Sequence, residues 1–395
     1  MNRLLRNHVR NIRPYCSSEV KCDEGENKTT PLNLATYRRG TGGRASFSGI
    51  VATIFGASGF LGRYVCNRLG KIGSQQIIPY RDDGSEILRL KVAGDLGQVL
   101  FTPFHLRDEE SIEKAVKYSN VVVNLIGRDW ETKNFKFQDV HVDGAARLAR
   151  LSKEAGVERF IHFSALNCSE HPTSIFIKGG SKFLISKREG ECAVLEEFPE
   201  ATIFRPADIY GQEDRFVRYY VGPWRRFMQY VPIWQKGEQT IKQPVYCVDV
   251  AAAVVEAIKN PETKGKIYQA VGPKRYLLSE LVDYFFRVMR KGPVEYGYTR
   301  YDMRYDPIFK MKITLSNMLS PNNPIGNLHW ERLEREHLTD NVDPDLPTLE
   351  DLGVHLTTME NQIPYELKPW TYGLYHGKDA NEPYAPAEPP KVSTY

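Results

Sequence analysis

The stretch "IVATIFGASGFLGRYV", starting at Ile50, constrains the fold more than any other part of this chain. A β-branched run leads into Gly56, Gly59 and Gly62, and an amphipathic run leads away from them. Strand, three glycines at this spacing, then helix is the opening βα unit of a nucleotide-binding α/β sheet. Gly56 permits the tight turn and Gly59 lets the backbone approach a pyrophosphate. Gly62 lets helix and strand pack closely, and the helix N-terminus offers N–H donors with a favourable dipole. Ala57, Ser58, Phe60, Leu61 and Arg63 complete the turn that would cradle a dinucleotide. The competing reading is a decayed site whose glycines serve packing alone.

Beyond this unit the chain keeps the same rhythm. "QQIIPY", "GQVLFTPF", "NVVVNLIG", "ERFIHFSA" and "ATIFRP" read as strands. Between them, residues 60–72, "EESIEKAVKYS", 137–155 and 181–197 read as helices. Apolar strands alternating with helices predict a Rossmann-type, doubly wound parallel sheet, an α/β fold covered on both faces. After Pro206 the pattern loosens, and "QPVYCV", a helix over 249–259 and "GKIYQAVG" suggest a returning strand–helix–strand. Another helix is expected over 277–290. The expected organisation is a Rossmann domain over 49–272, a smaller helical or irregular region over 273–377, and a disordered Pro-rich tail over 378–395.

The first eighteen residues carry Arg3, Arg6, Arg10 and Arg13 and no acid, with Leu4, Leu5, Val9 and Ile12 able to share a helical face. That pattern predicts a mitochondrial presequence, with a disordered basic arm as the alternative. Residues 19–48, ending "RRGTGGRASFSG", read as a flexible arm. The 395 residues are 41% hydrophobic and carry a net charge of +4, too weakly basic to suggest nucleic acid. Apolar runs stay well short of the roughly 20 residues a membrane-spanning helix needs. Six scattered cysteines without a C-x-x-C pair read as reduced thiols, not as a metal site.

The second strand ends in "PYRDDG". An NAD site usually places an acid at this tip to accept from the ribose 2′-hydroxyl. Here Tyr80 and Arg81 occupy it, and a guanidinium suits a 2′-phosphate, so NADPH is the expected cofactor. Arg63 is placed to assist, whereas Asp82 or Asp83 could still take the ribose of NAD.

With "NLIG", "FIHFSALN", Lys187, "RPADIYG" and "VYCVDVA", the chain resembles an extended or atypical short-chain dehydrogenase/reductase from about residue 50 to 290. A narrower resemblance rests on "GSQQIIPYR", "NLIGRDWETKNF", "LSKEAGVERFIHFSALN" and "KQPVYCVDV". These are similar to the alpha-subcomplex subunit 9 family of accessory subunits of mitochondrial respiratory complex I. The resemblance implies tightly bound NADPH and the other complex I subunits as partners. It also implies a peripheral site on the matrix side of the inner membrane, where the two arms of the complex meet. It places Ile126, Gly127, Ser164, Lys187 and Pro206 against the cofactor.

One substitution decides how that resemblance reads as chemistry. Active members of the superfamily carry Tyr-x-x-x-Lys, and here "SKFLISKREGE" keeps Lys187 but has Phe183 four residues earlier. No tyrosine lies between Tyr118 and Tyr210, so no shift of register restores one. A positioned acid–base group contributes roughly 10²–10⁴-fold. The expectation is therefore a non-catalytic accessory subunit that binds NADPH and supports the assembly or stability of the complex, with no free small-molecule substrate. The alternative is a free NADPH-dependent reductase using Lys187 as base, with His162 or His171 as substitute donors. A Rossmann relative that binds RNA or acts as a chaperone is a third reading, for which no basic patch speaks. The stretch "FVRYYVGPWRRFMQYVPIW" either packs as a lid or turns Tyr219, Trp224, Arg225, Arg226 and Trp234 toward a partner or lipid headgroups.

Overall fold

The computed structural model describes residues 38–81, 84–225, 229–373 and 386–393. The presequence and most of the arm lie outside the described residues, as do Asp82, Asp83 and Arg226.

Seven strands form the main sheet: β1 (Val51–Phe55), β2 (Gln75–Tyr80), β3 (Val99–Pro103), β4 (Val121–Asn124), β5 (Arg159–Phe163), β6 (Thr202–Pro206) and β7 (Ile267–Ala270). Their order is β7-β6-β5-β4-β1-β2-β3, and every neighbouring pair is parallel. The chain runs outward from β1 to β3, then returns to the other side of β1 with β4. That reversal opens a crevice at the strand ends between β1 and β4, where such sheets bind ligands.

Helices cover both faces, as the unbroken apolar strands require. On one face α1 (Phe60–Lys71) packs beside a helix from late in the chain, Cys247–Lys259, over Ile54, Ile78, Val123 and Ile161. On the other, α2 (Glu109–Val116), α3 (Gly144–Glu154) and α4 (Lys182–Glu197) cover Phe55, Val122 and Phe160. Each fully buried aliphatic or aromatic side chain of this kind contributes about 1.5–3 kcal/mol. The late helix is α5. The helix expected over 137–155 is not uniform: Gln138–Asp143 forms a π-helical turn before α3 begins. Gly190 on α4 explains how the wider turn is seated, since a Cβ there would overlap the carbonyl oxygen of His141.

A second core is aromatic and is built from two distant stretches. Tyr210, Phe216, Tyr219 and Tyr220 come from the segment after β6. Tyr284, Phe285 and Phe286 come from α6 (Leu278–Val288), with Phe309 and Ile313 from α7 (Pro307–Leu319) and Leu333 from α8 (Trp330–Glu336). The boundary expected at 272 thus cuts through this core, because the segment after β6 belongs to it. Arg225 and Tyr219, expected on a lid or an outward face, are buried, and Arg225 donates to Glu336 at 2.9 Å. The chain then returns to the sheet, where the Gln269 N–H donates to the Pro347 carbonyl and Leu349 joins the first core.

Two segments expected to be mobile are held where they are described. Arg39 and Phe47 exchange backbone hydrogen bonds of 2.8 Å across the Gly-rich turn, and the Ser48 N–H donates to the Gly73 carbonyl. In the tail, Val392 bridges Tyr276, the Ser393 N–H donates to the Arg275 carbonyl, and Ala387 packs on the second core. Low hydrophobicity predicts disorder only when no sheet edge and apolar surface are offered elsewhere.

Candidate functional site

A cleft of 490 Å³ lies at the C-terminal ends of β1, β2, β3 and β4. Gly56, which follows β1, has φ of +80°, and a Cβ there would stand 3.0 Å from the Leu125 carbonyl carbon. Both facts demand glycine. The Gly59 N–H donates to the Gly56 carbonyl at 3.1 Å, closing the turn. Gly59 also caps α1 without a side-chain hydrogen bond, so the first-turn N–H groups have no side-chain cap. A Cβ on Gly62 would stand 2.5 Å from the Ala57 Cα, which is why helix and loop can touch only with glycine there. This cradle suits the phosphates of a dinucleotide: bare backbone, unspent donors and the positive end of a helix.

Of the residues expected to bind, Gly56, Ser58, Gly59, Arg81, Ile126 and Gly127 line the cleft together. Arg81 is exposed at its mouth and also borders an adjoining 410 Å³ recess with His105, Arg128 and Asn134. Arg128 and Arg215 stand on Trp130 at 5.0 and 5.4 Å from the ring centre, adding cations to the same cleft. Arg63 is directed elsewhere, pairing with Glu213 at 2.5 Å. Ala57 and Gly62 lie under the turn, where they set its shape. Ser164 is buried at the end of β5, and Pro206 ends β6.

Lys187 sits behind Gly127. Its Nζ would stand 3.2 Å from a Cβ on Gly127, and it donates to the Phe163 carbonyl at 2.9 Å. Burial draws its ammonium down to about 8, with Glu191 opposing the shift. Glu191, one helical turn further along α4, is fully buried and accepts two hydrogen bonds from Arg205 at 2.8 and 2.6 Å. Burial alone would raise that carboxyl, but Arg205 overrides it and holds the group at about 2.

Phe183 offers no proton. Its ring meets His141 edge-on at 5.2 Å and Phe137 at 6.0 Å, and the Arg335 guanidinium lies 4.0 Å from its centre. Arg335 comes from α8 and is tied to Asp129 at 3.2 Å, where Arg215 and Arg332 converge as well. Burial disfavours the Asp129 carboxylate, yet Arg335, Arg332 and Arg215 hold it well below the usual range. The two substitute histidines do not reach the cleft. His162 is buried beneath the sheet end with Nδ1 3.1 Å from Asn124 Nδ2, and burial drops it to about 3. His171 is exposed on a loop.

Sequence reasoning missed His141, Asp129, Glu191 and Arg335. Glu191 carried a signal, an acid four residues after Lys187 on one helical face. His141 accepts from the Arg128 N–H at 3.3 Å and contacts Ser186 at 2.9 Å, but nothing in its neighbourhood in sequence marks it. Arg335 lies 206 residues from Asp129, beyond any local pattern.

A parallel sheet with a glycine cradle at its switch point defines a nicotinamide-dinucleotide protein of the short-chain dehydrogenase type. Residues 52–270 match the NAD dependent epimerase/dehydratase family. The fold is also that of a triphenylmethane reductase from Citrobacter sp., with a TM-score of 0.59 at 17% identity over 80% of this chain and 99% of that one. Much nearer in sequence is NADH dehydrogenase (ubiquinone) 1 alpha subcomplex subunit 9, mitochondrial, of Mus musculus. It is 48% identical over 83% of this chain and 82% of its own length. The 40 kDa subunit of mitochondrial NADH-ubiquinone oxidoreductase of Neurospora crassa is 33% identical over 86% and 84%. The chain belongs to the alpha-subcomplex subunit 9 family of mitochondrial complex I, within the NAD dependent epimerase/dehydratase family. Other subunits of that complex are accordingly its partners.

Proposed function

We propose that the chain holds NADPH in the 490 Å³ cleft without turning it over, and that the bound nucleotide stabilises the subunit for assembly into complex I. The subunit sits on the matrix side of the inner membrane, beside the junction of the two arms. The observation that carries this reading is the division on α4: Lys187 stays beside Gly127, while Phe183 has no proton to give and is covered by Arg335.

In this reading Gly56, Ser58, Gly59 and the backbone of Ala57, Phe60 and Leu61 hold the pyrophosphate. Ile126 and Gly127 line the path to the nicotinamide, and Lys187 donates to the ribose hydroxyls there. Arg81 at the mouth takes the 2′-phosphate. Arg63 supports the turn through Glu213, and Ser164 and Pro206 shape the ends of β5 and β6. NADPH supplies hydride chemistry where a proton donor stands beside it, and Phe183 removes that donor.

The test is chemical. Protein purified gently should release NADPH or NADP⁺ on denaturation, identified by mass spectrometry. Recovery of NAD(H) alone would reject the 2′-phosphate assignment. Arg81→Asp should weaken NADPH far more than NADH. One observation favours the reductase alternative: a Lys187 ammonium lowered to about 8 is nearly poised as a base. Robust oxidation of NADPH with an aldehyde, ketone or quinone, abolished by Lys187→Ala at unchanged NADPH affinity, would establish that alternative.

A further inference from the structure

The chain that follows β6 crosses from one wall of the dinucleotide crevice to the other. Gly211 lies against the start of α1, where a Cβ would stand 3.6 Å from the Phe60 ring. Tyr64 of α1 donates its hydroxyl to the Gln212 carbonyl at 3.3 Å, and Arg63 pairs with Glu213 at 2.5 Å. Two residues later the chain has reached the loop after β4. There Arg215 lines the cleft, donates to Asp129 at 3.1 Å and stands over Trp130. The turn into α1 ends β1, so these two anchorages lie on the β1 side and the β4 side of the crevice. Two residues of chain span at most about 7 Å, so the crossing is short and direct.

The crossing is firm in its middle and weak at its grips. Asp214 is buried, accepts from the Val217 and Arg218 N–H groups at 3.0 and 3.1 Å, and donates its own N–H to the Gly211 carbonyl. Arg332 donates to the Arg215 carbonyl at 2.6 Å, which ties the far end to α8. Between these fixed points Glu213 has φ of +65°, a left-handed conformation that residues other than glycine seldom take. Strained residues of this kind persist where the surrounding structure holds them, and ligand clamps are a common setting. The side chains that reach the walls are different. Those of Arg63 and Glu213 are 25% and 41% exposed, and that of Arg215 is 53% exposed. Ion pairs this open to water are weak and are screened by salt. Water can part both grips while the backbone between them stays anchored.

We propose that residues 212–215 are a strap that gates exchange of the dinucleotide, with Arg63–Glu213 and Arg215–Asp129 as its two clasps. The nucleotide enters and leaves when the clasps part, and the closed strap retains the pyrophosphate behind it. The inference rests on the reading that this cleft holds a dinucleotide, and it adds what sets the rate of exchange. Glu213 is the residue that separates a gate from an ordinary contact. A carboxylate near a pyrophosphate repels it, so by charge alone neutralising Glu213 would slow release. As half of a clasp, the same change speeds entry and release together and leaves affinity nearly as it was. Arg215 does not separate the two roles, because its cation also attracts phosphate.

The experiment loads the purified full chain with labelled NADPH and chases it with excess unlabelled nucleotide. Glu213→Gln should release the label about fivefold faster, with Kd from equilibrium dialysis within about twofold of the wild type. Tyr64→Phe removes the other grip on α1 without a change of charge and should speed release about twofold. The gain from Glu213→Gln should shrink in high salt, where the wild-type clasp is already screened. Both variants alter side chains that are not buried, so thermal unfolding should match the wild type. Release from Glu213→Gln at the wild-type rate, or slower, would overturn the strap. So would faster release matched by an equal rise in Kd, since Glu213 would then belong to the binding contact. If the chain takes NADH in place of NADPH, the same chase with NADH tests the strap while the 2′-phosphate assignment falls. If neither nucleotide binds, both readings fall together.

Discussion

The glycine turn and the aromatic lobe are stabilised on opposite principles. In the turn, most deciding contacts join near neighbours, Gly56 with Gly59 and Gly62 with Ala57, and one reaches across to the Leu125 carbonyl. In the aromatic lobe, the deciding contact joins Arg225 to Glu336, 111 residues apart and both buried. Backbone sterics hold the first region, so it tolerates changes around it but no side chain at Gly56 or Gly62. The second hangs on a desolvated charge pair, which is costly to break because either partner alone is left unpaired in the interior. The Asp129 cluster joins the two regions through Arg215, Arg332 and Arg335.

The sharpest way to separate the regions is Arg225→Leu. Leaving Glu336 buried and unpaired should cost about 3–5 kcal/mol in chemical denaturation. If the regions are energetically distinct, the variant should still release nucleotide when denatured. Loss of nucleotide in step with stability would show one cooperative unit instead.

Acid should strike the sheet region through Glu191. Its folded carboxyl is held at about 2 against an ordinary 4.5, so its stabilisation is present above pH 4.5 and is lost as pH falls from there toward 2. The contribution is about 3 kcal/mol if the whole shift is expressed. Unfolding midpoints followed from pH 6 downward should show this limb, and Glu191→Gln, though less stable at neutral pH, should flatten it.

Gly62→Val tests the steric principle directly. Forcing a branched side chain against Ala57 should cost about 1–3 kcal/mol and should remove the nucleotide, while the aromatic lobe keeps its near-ultraviolet signal. Retained NADPH in this variant would mean that the turn is less rigid than its contacts imply.

Lys187→Ala should loosen NADPH by roughly tenfold to a hundredfold, removing about 1.4 to 2.7 kcal/mol of ligand-linked stability at saturation. Calorimetric titration measures the first quantity and the shift in melting with added NADPH the second. The smallest effect belongs to Phe183→Tyr. The new hydroxyl lies one turn from Lys187, but Arg335 covers the ring, so NADPH turnover against a carbonyl panel should stay at background.

Much of the sheet region is legible in the sequence. Unbroken β-branched runs such as "VVVN" leave no solvent face and so require a covered parallel strand, and β4 is buried throughout. The three glycines were legible because most of their constraint is local: the positive φ of Gly56 and the close neighbours of Gly59 and Gly62 lie within six residues, while the Leu125 carbonyl beside Gly56 adds a distant limit. Arg63 was misread for an equally physical reason: a flexible side chain chooses among partners that the fold supplies, and the fold supplied Glu213. The π-helical turn was hidden because its cause, the missing Cβ of Gly190, sits on another helix.

By itself the sequence determined a glycine cradle at the end of the first strand, a doubly wound parallel sheet, and a lysine without its tyrosine. Each follows from steric or chemical limits that act within a few residues. Only the tertiary structure decided that the segment after β6 is core and not lid, and that Arg335 lies over Phe183. It also decided that the tail closes on Tyr276 and that Glu213 and Arg215 grip opposite walls of the crevice. Those outcomes depend on long loops bringing distant groups into a shared interior, where desolvation selects partners that no local pattern encodes.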